Sequence, residues 1–431
     1  MSDAGCSLDH MFESLFDIDP AASEQELRDM VERLERMKST AAAAQARPTA
    51  LWSTKRRAAE AVAGLPVRRR GRGLSSEIAL ARRDSTTKGD QHLGFAKALV
   101  HEMPCTLAAL EAGVLSEWRA TIIVRESACL TVEDRRRLDH RMCGDPTALD
   151  GLGNKRITAK AKAIAYELDP HAVVDRAAKA PEERNVTTRP APDNMLYLTA
   201  LLPMAQGVSC YASLKHAADT NPDGRSRGQT MADTLVERVT GRPADVPVPM
   251  TVNVVLSDEV LLANGDGAAA VQDYEPIPAE VARKLITDAI DAQGWVELRR
   301  LYAVPESGAL VAMDSRARAF PNGLAQFIRL RDHTCRTPYC DAPIRHIDHA
   351  EPHTRGGRTN AVNGRGSCER CNHIKEQPGW TVRTLFDPGG RHVAEHTTPT
   401  GATYRSTAPP IAGGLRILTR DVHLVTVHRA A

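Results

Sequence analysis

Four cysteines in the last third of the chain are spaced for a metal. Cys335 and Cys340 form a C-x4-C pair, and Cys368 and Cys371 a C-x2-C pair. Zinc takes four thiolates at the corners of a tetrahedron, and two short-spaced pairs on two turns meet that requirement. Both pairs sit among polar and turn residues rather than in apolar runs, unlike unrelated buried thiols. With sulfur in all four positions such a zinc has no open place for substrate and serves as a staple.

The stretch IDHAEPHTRGGRTNAVNGRGSCERCNHIK at 347–375 holds a second set of polar residues. A hard cation such as Mg²⁺ or Mn²⁺ takes oxygen ligands, and Asp348 with the amide of Asn372 offers two. His349 stands beside Asp348 and has the chemistry of a general base near neutral pH. Neighbours on an extended strand point to opposite faces. Joint action of 348 and 349 therefore requires the strand to end or twist there, with Pro352 and Gly356-Gly357 supplying the bend. On a helix starting near 368, Cys371 and Asn372 point about 100° apart, so one helix can serve a zinc and a second site. His346 and His353 flank the pair and read as surface or supporting histidines. Arg345, Arg355, Arg358, Arg365 and Lys375 are candidates to meet nucleic-acid phosphates, although exposed Lys and Arg are the rule on any surface.

CRTPYC (335–340), IDHAEPHTRGG (347–357) and NGRGSCERCNHIK (363–375) together resemble the HNH, or ββα-metal, nuclease motif in its zinc-stapled form. The resemblance implies Asp348 as first metal ligand, His349 as general base, and Asn363 as the residue that ties the loop and orients the base. Asn372 falls at the second ligand position, with His373 beside it as a further candidate. It implies a metal-dependent endonuclease acting on double-stranded DNA, with Mg²⁺ or Mn²⁺ at the catalytic site and a structural Zn²⁺. The competing reading is a non-catalytic zinc-stapled module that binds nucleic acid. Gly364, Gly366 and Ser367 stand where the motif carries apolar residues, which predicts a short or irregular second strand. Further upstream, EIALARRDSTTKGDQHLGFAKAL, RATIIVRESACLTVEDRR and GRSRGQTMADTLVERV resemble the helical domain of unknown function 222 of the actinobacterial 13E12-repeat family. TPTGATYRSTAPP resembles that family's tail.

The elements that must carry these residues follow from capping and periodicity. Ser23 and Glu26 have capping-box spacing, and apolar residues recur helically from Leu27, predicting a helix into the alanine-rich stretch before Pro48. VRRRGRG at 67–73 reads as an exposed basic segment, and 76–102 as two helices around a turn, with a helix-turn-helix look. Residues 182–194 read as a connection, LYLTALLP as a helix, 249–257 as a strand, 278–290 as a helix, and 295–315 as a hairpin. A helix near 321–331 leads into the cysteines, Trp380 anchors a core beneath them, and an extended tail closes the chain.

The fold class is thus a mainly α N-terminal region with a small α+β section, followed by a zinc-stapled ββα-metal domain. Its parts are an N-terminal helix and basic linker (1–74), a helical domain with a strand section near 249–314 (75–320), the nuclease-like domain (321–385) and the tail (386–431). Among 431 residues, Lys and Arg number 56 against 54 Asp and Glu, so any nucleic-acid binding must come from local patches. The acidic first twenty residues lack the features of a signal peptide, and no apolar run approaches a membrane span. Nine cysteines without an export signal predict a reducing cytoplasm. Oligomeric state is not legible.

Overall fold

The computed structural model describes residues 18–193, 195–220, 224–246, 254–255, 269–271, 277–291, 314–315 and 319–410. The chain divides into two compact units, each built from separated segments. One comprises residues up to Gly71 together with Gln91–Ala178; the other comprises Arg72–Asp90 and everything from Lys179.

Helix α1 (Glu24–Val62) opens on the expected capping box. Glu26 N donates to Ser23 Oγ (3.3 Å), and Ser23 N donates back to Glu26 Oε2 (2.8 Å). The helix does not stop before Pro48 but runs through it for fourteen more residues. The lost hydrogen bond at Pro48 is outweighed because Ala42, Ala46, Ala50 and Ser53 form one buried stripe of small residues on either side of it. Helix α2 (Leu74–Ala81) belongs to the second unit. Then come α3 (Gly89–His101), α4 (Pro104–Glu111), α5 (Glu117–Glu126), α6 (Val132–Cys143), α7 (Asn154–Leu168) and α8 (Pro170–Lys179). Leu99, Leu110, Ile123, Leu138, Met142 and Ile157 from five of these helices share one core with Ala43 and Ala46 of α1. Buried Asp139 of α6 caps α4 from outside, accepting from Cys105 N (2.7 Å) and from Thr106 N (2.8 Å). Two N–H groups that a helix start leaves unpaired are thereby satisfied.

In the second unit the predicted connection at 182–194 and the predicted helix LYLTALLP are instead antiparallel strands, β1 (Asn185–Ala191) and β2 (Met195–Leu201). Their β-branched and aromatic residues favour the pleat, and Asp193 takes the left-handed conformation (φ 61°) that a tight turn needs. Helices α9 (Met204–Thr220) and α10 (Arg227–Thr240) follow, the latter with its own Ser226–Gln229 capping box. Val254–Val255 (β3) pairs with Ala270–Val271 (β4), and α11 (Ala279–Asp291) forms as expected. The rest of the predicted 249–257 strand lies outside the described residues, as does the predicted 295–315 hairpin apart from its end at Asp314–Ser315 (β5).

Helix α12 (Asn322–Asp332) brings Leu324, Phe327 and Ile328 to a small core with Ala361. The chain then forms β6 (His346–His349), β7 (Thr359–Asn360), β8 (Gly364–Ser367) and α13 (Glu369–Lys375). β6 and β8 pair antiparallel with Asp348 opposite Arg365 and His349 opposite Gly364. The strand expected to be short or irregular is short, at four residues, but regular and wholly buried. Its glycines permit this: a Cβ on Gly364 would lie 2.4 Å from Ile328 Cδ1, and one on Gly366 would lie 2.3 Å from Ile344 Cδ1. Beyond Trp380, which is buried, the predicted extended tail is a three-stranded antiparallel sheet of β9 (Thr381–Phe386), β10 (His392–Thr397) and β11 (Thr403–Thr407), with β10 central. No helix among the described residues is long and apolar enough to cross a membrane.

Two outcomes follow. Pro48→Ala restores a helix donor on an exposed face and is expected to stabilise the first unit by about 1–3 kcal/mol, read as a higher melting temperature. On β10, burial, reinforced by Arg331, pushes His392 down to about 4, and burial pushes His396 down to about 3. An unfolded histidine titrates near 6.5, so stability is full above that pH and falls as pH drops toward 4. The expected slope is roughly 1.4 kcal/mol per pH unit for each histidine, seen as a pH-dependent melting temperature that flattens in His392→Gln.

Candidate functional site

The four cysteines form a single buried group with all sulfurs within 4.8 Å of one another. Cys340 Sγ is 3.7 Å from Cys368 Sγ and 3.6 Å from Cys371 Sγ. Tetrahedral zinc at about 2.3 Å from each sulfur sets its ligands about 3.8 Å apart, so the spacing fits the ion. Local backbone makes the turns: Tyr339 (φ 62°) and Asp341 (φ 32°) take positive φ, and Cys335 N bonds Ala342 O (2.8 Å). On the other side Cys368 caps α13, its sulfur accepting from Cys371 N (3.4 Å). The four thiols are coupled: hydrogen bonds from Cys340, Cys368 and Cys371 pull the Cys335 thiol down, and Cys335 in turn pushes Cys340 and Cys371 up.

Asp332, at the end of α12, locks this assembly to β8. Its Oδ2 accepts from Gly366 N (2.7 Å) and its Oδ1 from Arg331 Nε (2.7 Å), while Arg331 also bonds Gly364 O (2.7 Å). Burial alone would raise the Asp332 carboxyl; Arg331, through charge and hydrogen bonding, with Arg336 beside it, holds it below the usual value instead.

Asp348 and His349 occupy the last two positions of β6, where the strand ends. Asp348 Oδ2 lies 2.8 Å from Lys375 Nζ on α13, outside hydrogen-bonding direction, and 3.7 Å from the Arg365 guanidinium. Lys375 also donates to His349 O (2.8 Å), clamping α13 onto the strand. The His349 ring lies 4.5 Å from that of Phe320, and its Nε2 is 2.9 Å from Thr359 Oγ1. Asn363 ties down the loop after the strand: it accepts from Glu351 N (2.8 Å) and donates to Glu351 O (3.0 Å) and Arg358 O (2.9 Å). Asn372 is half-buried and His373 exposed on α13. Among the described residues the cysteines are the one group of three or more His, Cys, Asp or Glu side chains close enough to share an ion.

Of the five expected phosphate contacts, Arg345, Arg355 and Arg358 are exposed. Arg365 and Lys375 are not available for that role, since Arg365 is fully buried across from Asp348 and Lys375 is committed inward. Sequence spacing gave no sign of Phe320 or Thr359 at His349. It gave none of Thr86, whose Oγ1 lies 3.2 Å from Cys371 Sγ across 285 positions of chain.

The fold and site define a helix-rich protein with small sheets and a C-terminal tetracysteine centre suited to zinc. The family model described as Domain of unknown function (DUF222) matches residues 29–332, well over half of the chain. The protein belongs to that family. The match ends before Cys335, so the cysteines and the residues between them lie outside it. Neither the curated proteins nor the solved structures contain a match to this chain.

Replacing one ligand, Cys368→Ser, is expected to abolish metal retention and unfold the C-terminal module, because a structural zinc contributes folding energy directly. Bound zinc falling from one per chain to near zero, with loss of β-sheet circular dichroism, is the result to look for.

Proposed function

We propose that this chain is a metal-dependent endonuclease that hydrolyses DNA phosphodiester bonds, with β6, β8 and α13 as its catalytic hairpin and helix. The observation that supports it best is the adjacency of Asp348 and His349 at the end of β6, beside the helix bearing Asn372, with Asn363 securing the intervening loop. A hard cation would find an oxygen donor in Asp348 Oδ2, which is buried and accepts no hydrogen bond, by taking the place of the Lys375 ammonium now 2.8 Å from it. Asp348 and Asn372 would hold Mg²⁺ or Mn²⁺, with His373 as a further donor; when bound, the ion would neutralise charge developing on the phosphate. His349 takes the proton from the attacking water, its ring steadied by Phe320 and its Nε2 engaged by Thr359. Arg345, Arg355 and Arg358 offer positive charge to the DNA backbone.

One observation favours a second reading, a zinc-stapled module that binds nucleic acid without cutting it. The Lys375 ammonium already meets Asp348 Oδ2 at 2.8 Å, satisfying charge where a cation would sit.

Plasmid nicking by wild type and His349→Ala, in Mg²⁺ and in Mn²⁺, separates the two. Nuclease chemistry predicts cleavage by wild type and a loss of roughly 10²–10⁴-fold in the variant, with zinc unchanged at one per chain. Equal cleavage by both removes His349 as base. Retention of DNA without cleavage by wild type in either metal establishes the binding module.

A further inference from the structure

The second unit recruits a segment from deep inside the family-matched region, Arg72–Asp90, although the cysteines lie some 250 residues further on. This segment is not peripheral. Residues 74–80 of α2 are buried without a break, including Ser75, Ser76 and Glu77, which a two-sided surface helix would expose. Four ties bind it to the C-terminal module. Arg370, between Cys368 and Cys371, donates to Asp90 Oδ2 (2.6 Å) and to Ser75 Oγ (3.2 Å). Thr400 Oγ1 donates to Glu77 Oε2 (3.1 Å). Gly73 sits so close to Trp380 that an added Cβ would lie 3.0 Å from the indole Nε1. The fourth tie is to the metal centre itself: Thr86 Oγ1 is 3.2 Å from Cys371 Sγ and 3.8 Å from Cys340 Sγ.

The turn carrying Thr86 is built to hold it there. Gly89 lies against Ser75 O, where a Cβ would come within 2.0 Å, so the loop folds back tightly onto α2. Thr86 itself is 1% exposed, which removes water as an alternative partner for its hydroxyl. Zinc-bound sulfurs are thiolates and can only accept, so with the ion in place the threonine must be the donor. A hydrogen bond to a thiolate withdraws charge from it and slows its protonation or exchange, as outer-shell partners of metal ligands generally do.

We propose that Thr86 is an outer-shell residue of the tetracysteine centre, and that the centre is completed by, and in turn holds in place, the 72–90 segment of the DUF222 region. The metal thus fastens a stretch of chain outside its own ligand loops. The inference rests on zinc at the four cysteines and is independent of nuclease activity.

The test uses the full-length zinc protein and two readouts, neither of them cleavage. Zinc release to excess chelator is timed for wild type, Thr86→Val and Thr86→Ser. Release is expected to be roughly tenfold faster in Thr86→Val, which keeps the shape without the donor, and near wild type in Thr86→Ser. Amide hydrogen exchange over 74–89 is then compared in wild type before and after zinc removal, with faster exchange expected there as well as over 335–375. Equal zinc release by wild type and Thr86→Val overturns the outer-shell role. Exchange that rises over 335–375 while 74–89 stays protected overturns the fastening. Should Thr86→Val fail to accumulate, the serine variant and the wild-type exchange measurement decide the matter.

Discussion

The C-terminal unit is organised by one electrostatic constraint: four sulfurs held within a few ångströms must share a cation or lose their charge. A zinc with four thiolates carries a net charge of two minus, and such a dianion inside a protein needs positive groups nearby. Arg336 follows Cys335 directly, is buried, and bonds His392 O (3.0 Å) on the C-terminal sheet. Arg365 is wholly enclosed in the strand that leads into Cys368. Asp332 then balances Arg331 and Arg336 while holding β8 through Gly366 N. The cysteines, the buried arginines and the hairpin that carries Asp348 and His349 thus form one charge-coupled assembly. The end of β6 is positioned by a cysteine group it does not touch.

Much of this was legible because its causes are local. The Ser23–Glu26 cap, the helix leading into the cysteines and the C-x4-C and C-x2-C pairs each act within a few residues. Asn363 bonds the loop before it, which is also a short-range matter. What escaped reading depends on packing at a distance. The alanines beside Pro48 are visible, but not the helices they pack against, which carry α1 through the proline. Nothing near Gly364 and Gly366 says that Ile328 and Ile344 will lie flat on the strand and make absent side chains an advantage. Arg365 and Lys375 have the composition of a phosphate-binding surface, and only the fold turns them inward.

Lys375 is the residue on which the functional readings part. A long, flexible ammonium that contacts both Asp348 and the His349 carbonyl braces the hairpin against α13. In a nuclease that brace must coexist with a divalent ion on the same carboxylate; in a binding module it is sufficient by itself. The choice is one of local charge, since the backbone framework serves either.

The order in which the chain is made gives the discontinuous second unit a kinetic meaning. Helix α2 and the Thr86 turn leave the ribosome long before Cys340 and Cys371 exist to receive them. Until then a helix with Leu74, Ile78 and Leu80 on it has no finished partner within its own unit. Contacts closed over so many residues are slow to form, and the waiting segment is open to mispairing and to proteases. With zinc at the four cysteines, metal supply would act as a checkpoint on maturation. A cell short of zinc would accumulate a protein whose first unit is complete and whose early segment still hangs unclaimed.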